Sequence, residues 1–399
     1  NKNFNLYVWQ NQWSLPNWKN TFNSNLEFSS QIKKSSNQKD KAQRSNLASW
    51  RVNLSPPNQI TFLELRYLIN QTGVFQKDQH YQKVESGKGQ YSLVDGQYVP
   101  DPQGDYILVS ENNINLLPTS LYTKSVRWIF SPYKSSNNNK TSKNLFSSLL
   151  SSFYTDTYIT VEEQVSDKNL FSIQWLLPWS SLNSDSAFMR NFSFQQELNF
   201  TPLDQRHFFK LKWVKTTSEN QLYFNGRQTK EEDSKTFSGN FNLGKNFLLQ
   251  SEYGLSSKKQ NYLGALNFNI KGNQTSLVVT KRNFVFTEVS LGTQYSEERE
   301  LIAKISSQEL GFKSKILHSF LNRGRISTEA KWSKVSFSPA ARNYWYLAGG
   351  KKAGGNWELN FNLNYRISQN FVYLVSYQSQ KNSYFKTKNL FRTELKATF

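Results

Sequence analysis

The chain has 399 residues, with 49 Lys and Arg against 29 Asp and Glu, a formal net charge of +20, three His and no Cys. The lack of Cys excludes disulfide scaffolds, Cys-based zinc sites, iron–sulfur clusters and thiol catalysis. Mean hydropathy is −0.68, yet Trp, Tyr and Phe make up 15% of the chain, and disordered chains are poor in rings; polar and aromatic residues are expected on opposite faces of strands.

No run approaches the roughly 18–20 apolar residues of a helical membrane span. The chain opens Asn1-Lys2-Asn3-Phe4 without the basic and apolar regions of a signal peptide, and reads either as a mature or partial chain or as a cytosolic protein. Tyr7, Trp9, Trp13 and Leu15 share one parity, as do Trp50, Val52 and Leu54, and then Leu63, Leu65, Tyr67 and Ile69. This period of two predicts strands over residues 1–70. Residues 71–118 interrupt it with Gly87-Lys88-Gly89-Gln90-Tyr91, Asp95-Gly96-Gln97-Tyr98-Val99-Pro100-Asp101-Pro102 and Gly104-Asp105-Tyr106. Their Gly and Pro density predicts tight turns in an insert outside the regular sheet. Tyr91, Tyr98 and Tyr106, at near-regular spacing, form a candidate interface. Residues 134–151, rich in Ser, Asn and Lys, predict a mobile exposed loop, and residues 144–154 a short helix.

The alternation then returns through Phe237, Phe241 and Leu243, through Leu266, Phe268 and Ile270, through Leu291, Thr293 and Tyr295, and at Ala330 and Trp332. Lys271-Gly272-Asn273, Ser256-Ser257-Lys258-Lys259 and Asn322-Arg323-Gly324 are the predicted turns between these segments. The acidic runs Glu231-Glu232-Asp233 and Glu297-Glu298 are the predicted loop tips. The clearest pattern closes the chain. Trp357, Leu359, Phe361, Leu363, Tyr365 and Ile367 hold every second position, then Phe371, Tyr373, Val375 and Tyr377, then Phe391, Thr393, Leu395, Ala397 and Phe399. Arg366, Glu394 and Lys396 fall on the opposite parity.

Segments of this length and number predict an all-β fold, an antiparallel transmembrane β-barrel of about 14–20 strands centred on 16. Its strands lie in 1–70 and 119–399, on either side of the 71–118 insert. A soluble sandwich also alternates, and a soluble or cell-surface sandwich or solenoid with an adhesin-like binding role is the competing expectation. Three features favour the barrel: hairpins that continue far beyond the roughly 100 residues of a sandwich, rings at the alternating positions as interfacial girdles require, and a last strand ending on an aromatic. In a barrel Trp357, Leu359, Phe361, Leu363, Tyr365, Phe371, Tyr373, Val375, Tyr377 and Leu395 face lipid.

The ending Phe391-Arg392-Thr393-Glu394-Leu395-Lys396-Ala397-Thr398-Phe399 resembles the C-terminal β-signal of Gram-negative outer-membrane proteins. That resemblance implies recognition of Phe391, Leu395 and Phe399 by the barrel assembly machinery, and an outer-membrane location. The segment from Gly87 to Tyr106 resembles an insert of large, poorly characterised outer-membrane barrels, where it precedes a run of C-terminal strands. This second resemblance implies that the chain is the C-terminal part of a larger protein. The net charge of +20 departs from the neutral or acidic balance usual among outer-membrane proteins, and so from an ordinary porin.

The residues carry no nucleophile elbow, P-loop or dinucleotide fingerprint. His80, His207 and His318 are far apart and lack partners at metal-ligand spacing. Asp95, Asp101 and Asp105 suit a calcium ion by chemistry but read more simply as solvated turn residues. A non-enzymatic protein without cofactors or metals is expected, serving as a pore or as a scaffold subunit of a larger envelope complex. Basic residues spread over the whole chain do not form a nucleic-acid stripe. In a barrel they favour anions within the lumen, or lipopolysaccharide phosphates and acidic partner subunits at the rim.

Overall fold

The computed structural model describes residues 4–19, 21–35, 43–56, 60–85, 89–94, 97–132, 152–166, 187–201, 207–221, 228–244, 246–262, 267–283, 286–320, 323–340, 344, 346–368, 370–383 and 387–397. Nineteen strands run through them. The first seven are β1 (Phe4–Trp18), β2 (Phe22–Ser35), β3 (Gln43–Leu54), β4 (Thr61–Lys83), β5 (Gly89–Val94), β6 (Gln97–Gly104) and β7 (Tyr106–Phe130). The next six are β8 (Phe153–Ser166), β9 (Ala187–Phe200), β10 (His207–Asn220), β11 (Gln228–Leu243), β12 (Phe247–Tyr262) and β13 (Phe268–Asn283). The last are β14 (Thr287–Glu300), β15 (Ile305–Phe320), β16 (Gly324–Ser338), β17 (Gly354–Arg366), β18 (Phe371–Asn382) and β19 (Lys388–Ala397). The described residues contain no α-helix, and no helix long and apolar enough to cross a membrane. The number of strands lies within the expected 14–20.

The registers are those of an antiparallel meander. β1 pairs with β2, β2 with β3, β3 with β4 and β7 with β8. From β13 to β19 each strand pairs with the next. One departure stands out: β4 skips β5 and β6 to pair with β7 from Thr61↔Phe130 out to Lys83↔Tyr106. The two make a long arm, and β5 and β6 form a small hairpin joined to β7 at Tyr91↔Tyr106.

This arm corrects the reading of residues 71–118 as turns outside a regular sheet. β4 continues to Lys83 and β7 starts at Tyr106, so the sheet runs through most of the segment. Gly and Pro weaken strand propensity locally, but two partners already held in register override it. The predicted turns at 256–259 and 271–273 lie inside β12 and β13, and the acidic runs at 231–233 and 297–298 inside β11 and β14. Strands of 14–16 residues outrun an apolar stretch of about 9–11, and their polar ends read as turns. The predicted helix at 144–154 lies mostly outside the described residues, and Phe153 and Tyr154 open β8.

Chain contacts divide the protein into two compact units, one comprising residues 1–198, 212–233 and 259–267, the other 199–211, 234–258 and 268–399. In the first, Trp50, Leu65 and Trp128 lie on one face of β3, β4 and β7 and are exposed. On the same face of this unit, Arg190 Nε donates to Glu163 Oε1 at 2.9 Å, and both side chains are buried. In the second unit the core is small and lies at one end of the sheet. Phe268, Ile270, Ile305, Val335 and Phe337 bury against Leu347 and Ala348 of the β16–β17 connection.

Candidate functional site

Strands β13–β19 have two unlike faces. One carries Leu277, Val279, Leu291, Phe312, Trp332 and Trp357, followed by the apolar positions of β17–β19. Register holds them side by side: Leu291↔Val279, Phe312↔Trp332, Trp332↔Trp357, Phe361↔Tyr377, Leu363↔Val375, Tyr373↔Leu395. These side chains are exposed to solvent, Leu291 by 61%, Trp357 by 57% and Leu395 by 59%. The rings of Phe312, Trp332 and Trp357 make a row across three strands, with centroids 5.6 and 6.2 Å apart.

The other face is polar. Asn360 pairs with Gln378, Asn362 with Ser376 and Glu358 with Gln380, and Lys313 lies opposite Lys331. Glu329 forms ion pairs with both lysines, at 3.1 and 3.0 Å. At one end of the strands this face buries its polar groups: Glu300, Ser307 and Glu309 are nearly inaccessible. Glu300 shows why burial is tolerated there, because its carboxylate accepts backbone N–H bonds from Asn269, Ile302 and Ala303. A buried carboxylate is costly unless such donors surround it.

Above Glu300 the connection between β16 and β17 folds back across the polar face as a strap. Its route follows from its residues. Leu347, fully buried, and Ala348 enter the apolar patch of Phe268, Ile270, Ile305, Val335 and Phe337, which interrupts the otherwise polar face. The Tyr346 ring stacks on Phe268 at 5.8 Å, and Tyr344 meets Phe337 edge-on at 5.3 Å. The Ala348 N–H donates to Glu298 Oε2 at 2.6 Å, and the Lys351 ammonium pairs with Glu309. Gly349 turns the chain at φ 62°, a left-handed conformation that disfavours any side chain. Burial, and then the Glu300 carboxylate and Tyr344, raise the Tyr346 phenol above its ordinary pKa. Between strap and strands lies a cleft of about 780 Å3 whose lining includes Glu309, Lys313, Lys331, Lys351, Glu358 and Lys388.

All ten residues expected to face lipid share the apolar face. Arg366, Glu394 and Lys396 stand on the opposite one, Arg366 and Lys396 both registered with Val372 and Glu394 with Leu374. Of the assembly-signal residues, Phe391 and Leu395 are exposed on β19, while Phe399 lies outside the described residues. Tyr91, Tyr98 and Tyr106 come together at the arm's tip, but on each other and on Tyr81. Tyr81 stacks on Tyr98 at 3.8 Å, and Tyr91 and Tyr106 meet these rings edge-on at 5.1 Å. Tyr81 escaped the sequence reading, although the recurring Gly-x-Tyr at 89–91, 96–98 and 104–106 signals a repeated close packing.

His80, His207 and His318 sit on β4, β10 and β15. His318 Nδ1 shares a 2.8 Å hydrogen bond with Thr287 Oγ1. Among the described residues no three His, Asp or Glu side chains gather as a metal would need. Asp101 lies in β6 and Asp105 at the bend after it, and Asp95 lies outside the described residues. The strap and its cleft were not foreseen, because nothing local in Tyr344–Lys351 marks where that segment docks.

No protein-family model matches the chain, and no curated protein matches it. Solved structures similar to it include the FrpB iron transporter from Neisseria meningitidis (F3-3 variant), 10% identical, with a TM-score of 0.47 over 98% of this chain and 63% of that one. The open form of the ferric-catecholate import receptor Fiu from E. coli K12 is 11% identical, with a TM-score of 0.45 over 95% of this chain and 64% of that one. A loop-deletion mutant of OmpT, an outer membrane protein of Vibrio cholerae, is 8% identical, with a TM-score of 0.37 over 99% of both chains. The chain thus spans just under two thirds of the length of the transporter and the receptor.

Proposed function

We propose that the sheet closes into a barrel in the outer membrane of a Gram-negative bacterium and that its polar face lines a non-enzymatic aqueous passage. One observation carries this reading: strands β13–β19 are inverted, with their largest apolar side chains exposed and Glu300 and Glu309 buried on the opposite face. Water disfavours so continuous an apolar surface, whereas lipid requires it. From Trp357 to Tyr365 the apolar row runs ~26 Å along β17 at about 3.3 Å per residue. With a tilt of roughly 40° that is about 20 Å of membrane depth, close to the ~25 Å apolar band of known barrels. Lipid tolerates no unpaired strand edge, so membrane residence implies closure.

The Asn, Gln and Ser rungs of β17 and β18 are what a hydrated passage needs and a packed core avoids. The scaffold reading has one feature in its favour, the arm of β4 and β7, whose tyrosine-stacked tip offers a rigid contact for another envelope subunit. Lipopolysaccharide phosphates and the assembly machinery are the further partners of this reading. Heat-modifiable migration in detergent tests the barrel, and solubility without detergent would overturn it. Planar-bilayer conductance tests the passage; a folded but silent barrel would favour the scaffold.

A further inference from the structure

Toward the C-terminal end of β19 the polar face carries a second basin, of about 760 Å3, whose lining includes Lys315, Arg325, Arg392, Glu394 and Lys396. The residues come from three strands, β15, β16 and β19, and register brings them together. One rung reads Ser327, Asn362, Ser376 and Arg392; the next reads Arg325, Asn364, Leu374 and Glu394. Arg325 and Arg392 are three strand spacings and one rung apart, ~16 Å at about 4.8 Å per strand and 3.3 Å per residue, with only short Asn and Ser side chains and one Leu on the strands between them. Two long guanidinium arms therefore face each other over a low polar floor.

Charge is unbalanced here. Arg392 and Lys396 share the single carboxylate of Glu394, at 3.5 and 3.7 Å. Lys315 stands opposite Glu329, but that carboxylate already takes Lys313 and Lys331. Among the described residues neither Lys315 nor Arg325 has an ion pair. The strap end differs, since there Lys351 is neutralised by Glu309 and Lys331 lies 4.0 Å from Glu358. Four cations around one carboxylate, with amide and hydroxyl donors between them, match a ligand with several anionic oxygens. Guanidinium forks bind such oxygens in pairs, and basic side chains lining a pore select anions.

We propose that Lys315, Arg325, Arg392 and Lys396 form a binding site for a small phosphate-type dianion on the polar face. The proposal rests on the pore reading only for the origin of the anion, which is a solute in the passage rather than a lipid headgroup. The test uses the full chain in detergent with inorganic phosphate as the probe, followed by titration calorimetry. Phosphate is expected to bind, the double variant Lys315→Gln/Arg325→Gln to lose at least tenfold in affinity, and Lys281→Gln, on the apolar face, to keep it. Heat-modifiable migration of each variant shows that it has folded. Equal binding by wild type and double variant, or no binding by wild type, overturns the site. So does occupancy only by vesicles of phosphatidylglycerol, which would make it a headgroup contact. In planar bilayers phosphate should block chloride current in the wild type and not in the double variant. Phosphate binding without any current keeps the site and overturns the pore.

Discussion

At the tip of the β4–β7 arm four tyrosine rings pack over a backbone cleared of side chains, whereas in the strap two tyrosines pack against side chains that interrupt a polar face. The arm reaches its packing by close approach: a Cβ on Gly104 would overlap the backbone of Tyr91, and one on Gly89 that of Tyr106. The strap reaches its packing by burial, with Leu347 and Ala348 filling an apolar patch and Glu298 and Glu309 holding either side. The difference lies in what each can withstand. Close backbone approach fails on the smallest added group, while a docked loop yields in steps as individual contacts are removed.

Substitution at the glycine should have the largest effect. Gly104→Val forces β5 and β6 apart and should cost more than about 4 kcal/mol locally, in the far tail of point substitutions. Limited proteolysis should then cut the arm while the remaining chain keeps its heat-modifiable migration; an uncut arm would show that the tip is not held by close approach. Leu347→Ala should come next, at about 3 kcal/mol for emptying a buried leucine site. Its expected readout is cleavage in residues 339–353 with the arm still protected. If the strap stays protected, its carboxylate contacts and not its apolar core hold it.

Glu298→Gln removes the charge from the hydrogen bond to the Ala348 N–H and should cost about 1 kcal/mol. Amide exchange at Ala348 should quicken by less than in Leu347→Ala, and an equal or larger change would reverse the ranking of burial over hydrogen bonding. Alkaline pH should act least and on the strap alone. The docked Tyr346 holds its proton above the ordinary phenol value, so the docked state keeps this stabilisation below about pH 10. As pH rises past that value a detached tyrosine ionises more readily than the docked one, and docking weakens. Proteolysis of the strap should increase above pH 10 in the wild type and lose that added step in Tyr346→Phe.

Much of the wall was legible because period-two alternation is local. Trp357 to Ile367 and Phe371 to Tyr377 announce both faces of β17 and β18 without reference to any partner, and Arg366, Glu394 and Lys396 were assigned to the opposite parity from sequence alone. The polar strand ends were not legible in this way. Lys271-Gly272-Asn273 and Glu231-Glu232-Asp233 have turn composition, yet the pairing strands on either side extend through them.

The amino-acid sequence by itself determined an all-β chain with one apolar and one polar face, since side chains alternate across any strand whatever lies beside it. Register, and with it the basin, was a tertiary decision: Arg325 and Arg392 are 67 positions apart, and only the pairing of four successive strands sets them on adjacent rungs. The strap's site was decided the same way. Phe268 and Ile270 of β13, Ile305 of β15, and Val335 and Phe337 of β16 stand at polar-parity positions, and they form a docking patch only when the pairing of β13 through β16 brings them to one end of one face.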